Sequence, residues 1–504
     1  MSTTACPAPE RPTFGVEIEF MVATLPVDAV DPIDATGLAP VLRTPIIKDN
    51  DRYYGEYTLA KVREALRECF GPGPKIDPDN IRDKFLDWQV DADPSISETV
   101  PSLPYTFVGV EVSSPVQFAT PEAFDVISRA ISTITSKFRC IVDVSCGLHV
   151  HVGLGEERLS LEQIRRIASL SYAAEPLLFT LHDPVRKVNR YCRPLQDYSY
   201  LADKFANQDF NAALETDMYH QGFDASVPTF CQYLGGERRH GEAPMSYRAK
   251  NVDEDHIAAF LETRQHGNFE PFTQPGDSRH TVLSPDIPEK VTPIISAPAG
   301  PTSPTTISVG AARQRDIPRL RHVRYNIEEL LGMSAHLWPR RLTVPTDQLD
   351  RLNERGPGPS VFQATEIIYS QPSSDYISEL LSGHQRPAIG LQAYECAAMT
   401  TRRVLHTIEF RLGEGSLDGE WIATWAKICV GIFKFALYSS PSKFIDILTK
   451  CDRAMKEDGT YDVIDLLDDI GLFAEAAIAE RRLMANEHRW KLRFMGSKIR
   501  ESKI

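Results

Sequence analysis

Between Phe14 and Phe20 the chain alternates with a period of two. Phe14, Val16, Ile18 and Phe20 fall on one side, Glu17 and Glu19 on the other. Successive side chains of a strand point to opposite faces, so residues i and i+2 share a face roughly 6.5 Å apart. Three later segments follow the same rule. In Leu148–Val152, His149 and His151 oppose Leu148, Val150 and Val152. In Thr407–Leu412, Thr407, Glu409 and Arg411 oppose Ile408, Phe410 and Leu412. In Val108–Ser113, Glu111 opposes Val108, Val110 and Val112.

Any one of these segments alone is an ordinary half-buried strand with a wet face. As a set they carry Glu, Glu, Glu, Glu, His, His and Arg, not the Thr, Lys and Ser of a solvated sheet. If the strands share one sheet, the carboxylates crowd, and their repulsion raises pKa values and costs stability unless cations intervene. Carboxylates with imidazoles and no thiolate suit Mg²⁺ or Mn²⁺ rather than zinc. Arg411 adds a planar donor fork suited to phosphate. Acid cluster, divalent metal and Arg together point to metal-assisted phosphoryl transfer from a nucleotide. No GxxxxGK[ST] is present, so the chain is not a P-loop enzyme.

Composition sets the outer limits. The 504 residues carry 55 Lys/Arg against 69 Asp/Glu, a net charge of −14, which argues against a nucleic-acid partner. At 42% hydrophobic and 25% charged, the chain is expected to be a folded, soluble protein with a large core. No apolar run reaches the roughly 20 residues of a membrane span; Ile428–Tyr438 comes nearest, broken by Lys434. The N-terminus shows no secretory pattern. Nine scattered cysteines without a CxxC pair fit free thiols in a reducing compartment. The expected location is cytoplasmic. The final Ser502-Lys503-Ile504 is one residue away from a peroxisomal address, a match short enough to arise by chance.

Helices are expected over Tyr57–Phe70, over Pro121 to Phe138 behind a Thr120 cap, and from a Ser160/Gln163 capping box to Leu181. Two more are expected over Asp418–Ser439 and Asp462–Met484. Residues 271–316, with eight prolines between Pro271 and Pro304, read as a disordered insertion. The rest, 1–270 with 317–490, reads as one catalytic domain, and 491–504 as a basic tail. From Arg481 onward there are eight Lys/Arg and two acidic residues, read as a solvated helix end rather than a functional patch.

GVEIEF, SCGLHVHVG and TIEFRLGEGSLD, in that order, resemble the amidoligase family, and in particular its filamentous-fungal members. That family belongs to the glutamine synthetase and glutamate–cysteine ligase group of carboxylate–amine ligases. The resemblance implies an α+β fold: a curved, largely antiparallel sheet with helices on the outer face, a glutamine synthetase-like core. It implies that ATP phosphorylates a small-molecule carboxylate and that an amine then displaces phosphate to give an amide. By motif, Glu17, Glu19, Glu111, His149 and Glu409 resemble ligands of Mg²⁺ (or Mn²⁺). His151 resembles a residue near the ATP phosphates and Arg411 the Arg on the transferred phosphoryl group. Asp93 and Ser95, in Asp-Pro-Ser-Ile96, resemble a loop on the amine side, with Asp93 as the base; the same residues also read as a turn. Arg186, in Arg186-Lys-Val-Asn-Arg-Tyr191, resembles a substrate- or phosphate-binding Arg; a solvated loop is the plain alternative.

The family's Tyr…Asn segment has two candidates, Tyr247–Asn251 and Arg324–Asn326, both far upstream of Glu409, which leaves the acid pocket undefined. Cys146 reads as a packing residue. Two rival functions remain: a metal-dependent hydrolase built on His-x-His, which leaves Glu17/Glu19 and Arg411 unexplained, and a non-catalytic scaffold, in which these carboxylates would be degraded. Substrate identities and oligomeric state are not legible.

Overall fold

The computed structural model describes residues 11–33, 37–45, 51–74, 85–93, 95–96, 104–155, 157–204, 313, 315–321, 330, 358–371, 373–382, 386–394 and 406–496. The strands are β1 (Thr13–Pro26), β2 (Leu42–Thr44), β3 (Gln89–Asp91), β4 (Thr106–Ser113), β5 (Gln117–Phe118), β6 (Cys140–Ile141), β7 (Gly147–Gly153), β8 (Ile389–Gly390) and β9 (Thr407–Glu414). All four alternating segments therefore lie in strands, and in one open sheet of order β3-β4-β1-β7-β9-β8. Its ladders along this path are antiparallel. β2 adds to β1 in parallel, and β5 and β6 add to it antiparallel. The fold class is α+β.

The helices are α1 (Asp51–Phe70), α2 (Pro121–Lys137), α3 (Leu161–Leu178), α4 (Leu195–Tyr198), α5 (Tyr200–Lys204), α6 (Val361–Ser370), α7 (Ser374–Ser382), α8 (Gly419–Tyr438), α9 (Pro441–Lys456), α10 (Val463–Asp469) and α11 (Phe473–Asn486). Burial explains the sheet's two faces. Val16, Ile18 and Phe20 of β1 share one buried cluster with Val150 of β7, Phe410 of β9, Phe124 and Ile127 of α2, and Trp421 and Trp425 of α8. Phe14 stacks on Phe124 at 4.5 Å. The helices cover this apolar face, and the Glu and His positions are left on the other.

Thr120 caps α2 through the Ala123 N–H, and Ser160 with Gln163 forms the capping box of α3. α1 starts six residues earlier than its periodicity suggests. The expected helix over Asp462–Met484 is two helices, because Gly471 between them takes the left-handed φ of +85°. Among the described residues one helix, Gly419–Tyr438, is long and apolar enough to cross a membrane by length and composition; 78% of its most apolar window is buried in the core. It exceeds the Ile428–Tyr438 run because a helix packed on several sides is apolar almost all round.

Of the 271–316 stretch only Arg313, Arg315 and Asp316 are described. Arg313 pairs with Asp468 and Glu480, and Arg315 with Asp462, binding this end of the stretch to α10 and α11. The remainder of the stretch, both Tyr…Asn candidates and Ser502–Ile504 lie outside the described residues.

The end of β9 is anchored to the chain that follows α3. The Glu414 N–H donates to His182 Nδ1 (3.3 Å), and its carboxylate accepts the Asp183 N–H and pairs with Arg482. His182 is fully buried, and burial, with Arg482 and Arg186 nearby, pushes its imidazole well below the usual range. It stays neutral in the native state, whereas the unfolded chain takes up a proton near its ordinary value of about 6.5. Its contribution is intact above that pH and is lost as the pH falls, at up to about 1.4 kcal/mol per pH unit. Thermal melts from about pH 8 to about pH 5 should therefore show wild type losing its advantage over His182→Gln. A difference that stays constant would refute a neutral, buried His182.

Candidate active site

The register of three ladders assembles the polar face. Glu17 pairs with His149 across β1/β7, Glu19 with Glu111 across β1/β4, and His151 with Glu409 across β7/β9. Directly opposed side chains in antiparallel strands lie within reach of one another. His149 Nδ1 is 3.0 Å from Glu17 Oε2 and 3.8 Å from Glu409 Oε1, and its Nε2 is 3.6 Å from Glu19 Oε1. His151 Nε2 is 3.2 Å from Glu17 Oε1, while its Nδ1 meets Thr407 Oγ1 at 3.1 Å.

β9 carries a bulge here. Leu148 pairs with Gly413 but Val150 with Phe410, so Arg411 and Leu412 together face His149. Bulges of this kind re-aim side chains beside functional sites. Arg411 Nη2 lies 2.7 Å from Glu409 Oε1.

Two groups of donor atoms result, each within 4.8 Å: Glu17, His149 and Glu409, and Glu19, Asp93 and Glu111. Asp93 reaches the second group from a loop. Its Oδ1 accepts the Ser95 N–H at 2.6 Å and its carbonyl the Ile96 N–H at 3.2 Å, so the turn reading holds at Asp93, Ser95 and Ile96 as well. Gly109 of β4 makes room for that loop: a Cβ there would lie 2.9 Å from the Ile96 Cβ.

The electrostatics follow the crowding. Glu111 is pushed up to about 8, first by burial and then by Glu17, Glu19 and the two aspartates Asp93 and Asp91. Burial alone would raise Glu17, but His151 and His149 hold its carboxyl well below the usual range. Burial works against protonation of His151, yet Glu17 and Glu409 push it up to about 9.

Arg186 is only 3% exposed and sits in the 3-10 turn Pro184–Val188. Its Nη2 donates to the Arg411 carbonyl (3.0 Å), so it braces the bulge from behind. A Cβ on Gly147 would meet His149 Nε2 at 2.8 Å and Arg186 Nη2 at 3.1 Å. Nor is the Arg186–Tyr191 segment a solvated loop: Asn189 is buried, and its side chain accepts the Tyr191 N–H at 2.8 Å. Cys146 is fully buried with its thiol pushed far up by burial and by Asp143, and it packs against Met21 and Ile96.

Three contributors were not singled out from sequence. The Gly147 N–H donates to Glu19 Oε2 at 2.6 Å, Thr407 holds His151, and the bulge sets Arg411. Gly147 opens the His-x-His strand and Thr407 shares the face of Glu409, so position alone could have flagged both. The bulge leaves no trace in the alternation.

A family model described as "Putative amidoligase enzyme" matches residues 10–263, just over half of the chain. The chain belongs to the amidoligase family. No curated protein and no solved structure matches this amidoligase. The matched region contains Glu17, Glu19, Asp93, Glu111, His149, His151 and Arg186 and stops short of Glu409 and Arg411.

Proposed function

We propose that this amidoligase is an ATP-dependent carboxylate–amine ligase that forms an amide bond on a small molecule. The observation that carries the reading is the pair of donor groups on one sheet face with Arg411 beside them. The donors are oxygens and one imidazole with no thiolate, a set that fits Mg²⁺ or Mn²⁺. Glu17, His149 and Glu409 would hold one ion, and Glu19 and Glu111, with Asp93 beside them, a second. Such ions supply charge neutralisation to phosphate oxygens and to the substrate carboxylate.

The chain's own residues do the rest. A substrate carboxylate oxygen attacks the γ-phosphorus of ATP, the bond to ADP breaks, and an acyl phosphate forms. Arg411, oriented by Glu409 and braced by Arg186, neutralises charge on the transferred group. His151, steadied by Thr407, faces the nucleotide phosphates. The amine nitrogen then attacks the acyl carbon, the C–N bond forms, and phosphate leaves. Asp93, with Oδ1 fixed by Ser95, offers Oδ2 to the incoming amine and takes up its proton.

Calorimetric titration of a non-hydrolysable ATP analogue tests this. Binding should require Mg²⁺. A folded sample that binds no nucleotide, or binds it equally well without the ion, would sink the proposal. Binding as expected justifies a screen of carboxylic acids with hydroxylamine as the amine.

A further inference from the structure

We infer that Glu175, buried in α3, is a positioning residue for Arg411: it anchors the stretch of chain whose main chain holds Arg411 in place. The inference rests on the ligase reading for what Arg411 does, and on the structure alone for how it is held. Glu175 is 0% exposed, so no ligand reaches it. Both of its carboxylate oxygens accept the Leu195 N–H, at 2.9 and 2.8 Å. Burial pushes the carboxyl well above its usual range, although the Leu195 and Gln196 N–H groups work against that. A fully buried acid is costly, and the bonds of this one run to main chain at the start of α4.

A short main-chain path leads from that bond to Arg411. Pro194 alone separates Leu195 from Arg193, and its ring fixes its φ, here −55°. Arg193 bridges Pro387 in parallel: its N–H donates to the Arg386 carbonyl (3.1 Å) and its carbonyl accepts the Ala388 N–H (2.7 Å). The Ala388 carbonyl then accepts the Arg411 N–H (2.7 Å). Arg411 is thus held at its N–H through Arg193 and at its carbonyl by Arg186, two residues of the same stretch.

The strand in the middle of this path cannot hold itself. β8 is two residues long and ends the sheet path beside β9. So short an edge makes few ladder bonds of its own, and the Arg193 bridge supports it from the other side. The turn at Arg193 in its turn needs a fixed base. α3 supplies one, an 18-residue helix with Leu170, Ala173, Ala174, Leu177 and Leu178 in the core. Without an acceptor at position 175 a buried N–H is left unsatisfied, which destabilises the conformation that buries it. The turn relaxes, β8 follows, and Arg411 loses its place 2.7 Å from Glu409.

Hydrogen exchange, which needs no substrate, tests the link. Glu175→Leu should speed exchange at least about tenfold in peptides spanning 386–394 and 407–414, as expected when a buried donor loses its acceptor, and leave 13–26 unchanged. Glu175→Gln keeps an acceptor oxygen and should stay within about twofold of wild type. Glu175→Asp keeps the acid but shortens its reach; it should act as Glu175→Leu does, and it takes that variant's place if the leucine protein does not fold. ADP-release kinetics give a second reading. The Leu or Asp variant should lose kcat about tenfold with unchanged affinity for a non-hydrolysable ATP analogue and Mg²⁺, and should add no further loss in an Arg411→Gln background. The inference is overturned if both variants exchange as wild type does, if exchange in 13–26 rises equally, if Glu175→Gln behaves as Glu175→Leu, or if an active enzyme keeps its kcat in these variants. Exchange that responds as expected in a protein whose wild type releases no ADP would leave the anchor standing and sink the ligase reading alone.

Discussion

Glu409→Gln is expected to lower ATP-dependent turnover by at least roughly 10²–10³-fold, the range seen when a single group stabilising transition-state charge is removed. Glu409 lies near both histidines and is the residue that orients Arg411. The amide keeps the shape but removes the charge, so it weakens a donor group and releases the guanidinium together. The fold should survive, because Phe410 and Ile408, not Glu409, pack in the core. Circular dichroism and a melting curve would establish that, and a coupled ADP-release assay would give the rate. A folded variant with wild-type turnover would remove Glu409 from the site and with it the metal assignment.

Gly413→Ala should damage both stability and activity. A Cβ at this position would overlap the Leu148 carbonyl oxygen and lie 2.9 Å from Trp425 Nε1. The obstacle on one side is backbone, and on the other a fully buried indole, so no flexible side chain can yield. Overpacking of a core typically costs about 1–3 kcal/mol and occasionally more, and the upper end applies here. Relief requires β9 to slide against β7, which displaces the bulge and takes Arg411 away from His149. Urea unfolding should show the lower stability. Turnover should fall even at temperatures where the variant is fully folded. Wild-type activity in a folded Gly413→Ala protein would mean that the bulge does not position Arg411.

Much of this arrangement was legible because alternation reports directly on faces. A one-residue slip between Phe14–Phe20 and Leu148–Val152 would expose the apolar side of one of them, so both acids and both imidazoles must share a face, and the observed register sets Glu17 opposite His149. Side-chain chemistry then named the polar face. The caps at Thr120 and Ser160 were legible for a similar reason: each is a local bond between near neighbours. What stayed hidden depends on contacts between distant residues. Arg186 looked like a ligand-binding loop residue, and only its bond to the Arg411 carbonyl, 225 positions away, reveals a bracing role. Asp93 read equally as turn and as base. The turn is local, whereas its proximity to Glu19 and Glu111 depends on Ile96 resting against Gly109. The break at Gly471 was missed because amphipathic spacing continues across it.

β1 runs for 14 residues and pairs with five other strands. In synthesis β1 is made well before β9. Glu17 and Glu409 are 392 positions apart. At synthesis rates of about 5–20 residues per second, roughly 20–80 s separate their appearance. During that interval β7 presents an unpaired edge, and its two histidines have only β1's carboxylates beside them. A nascent or truncated chain ending near residue 263, where the family match ends, would hold one complete donor group and two-thirds of the other. Under the proposed function, completion of the donor set waits on one eight-residue strand, β9, docking onto the β7 edge.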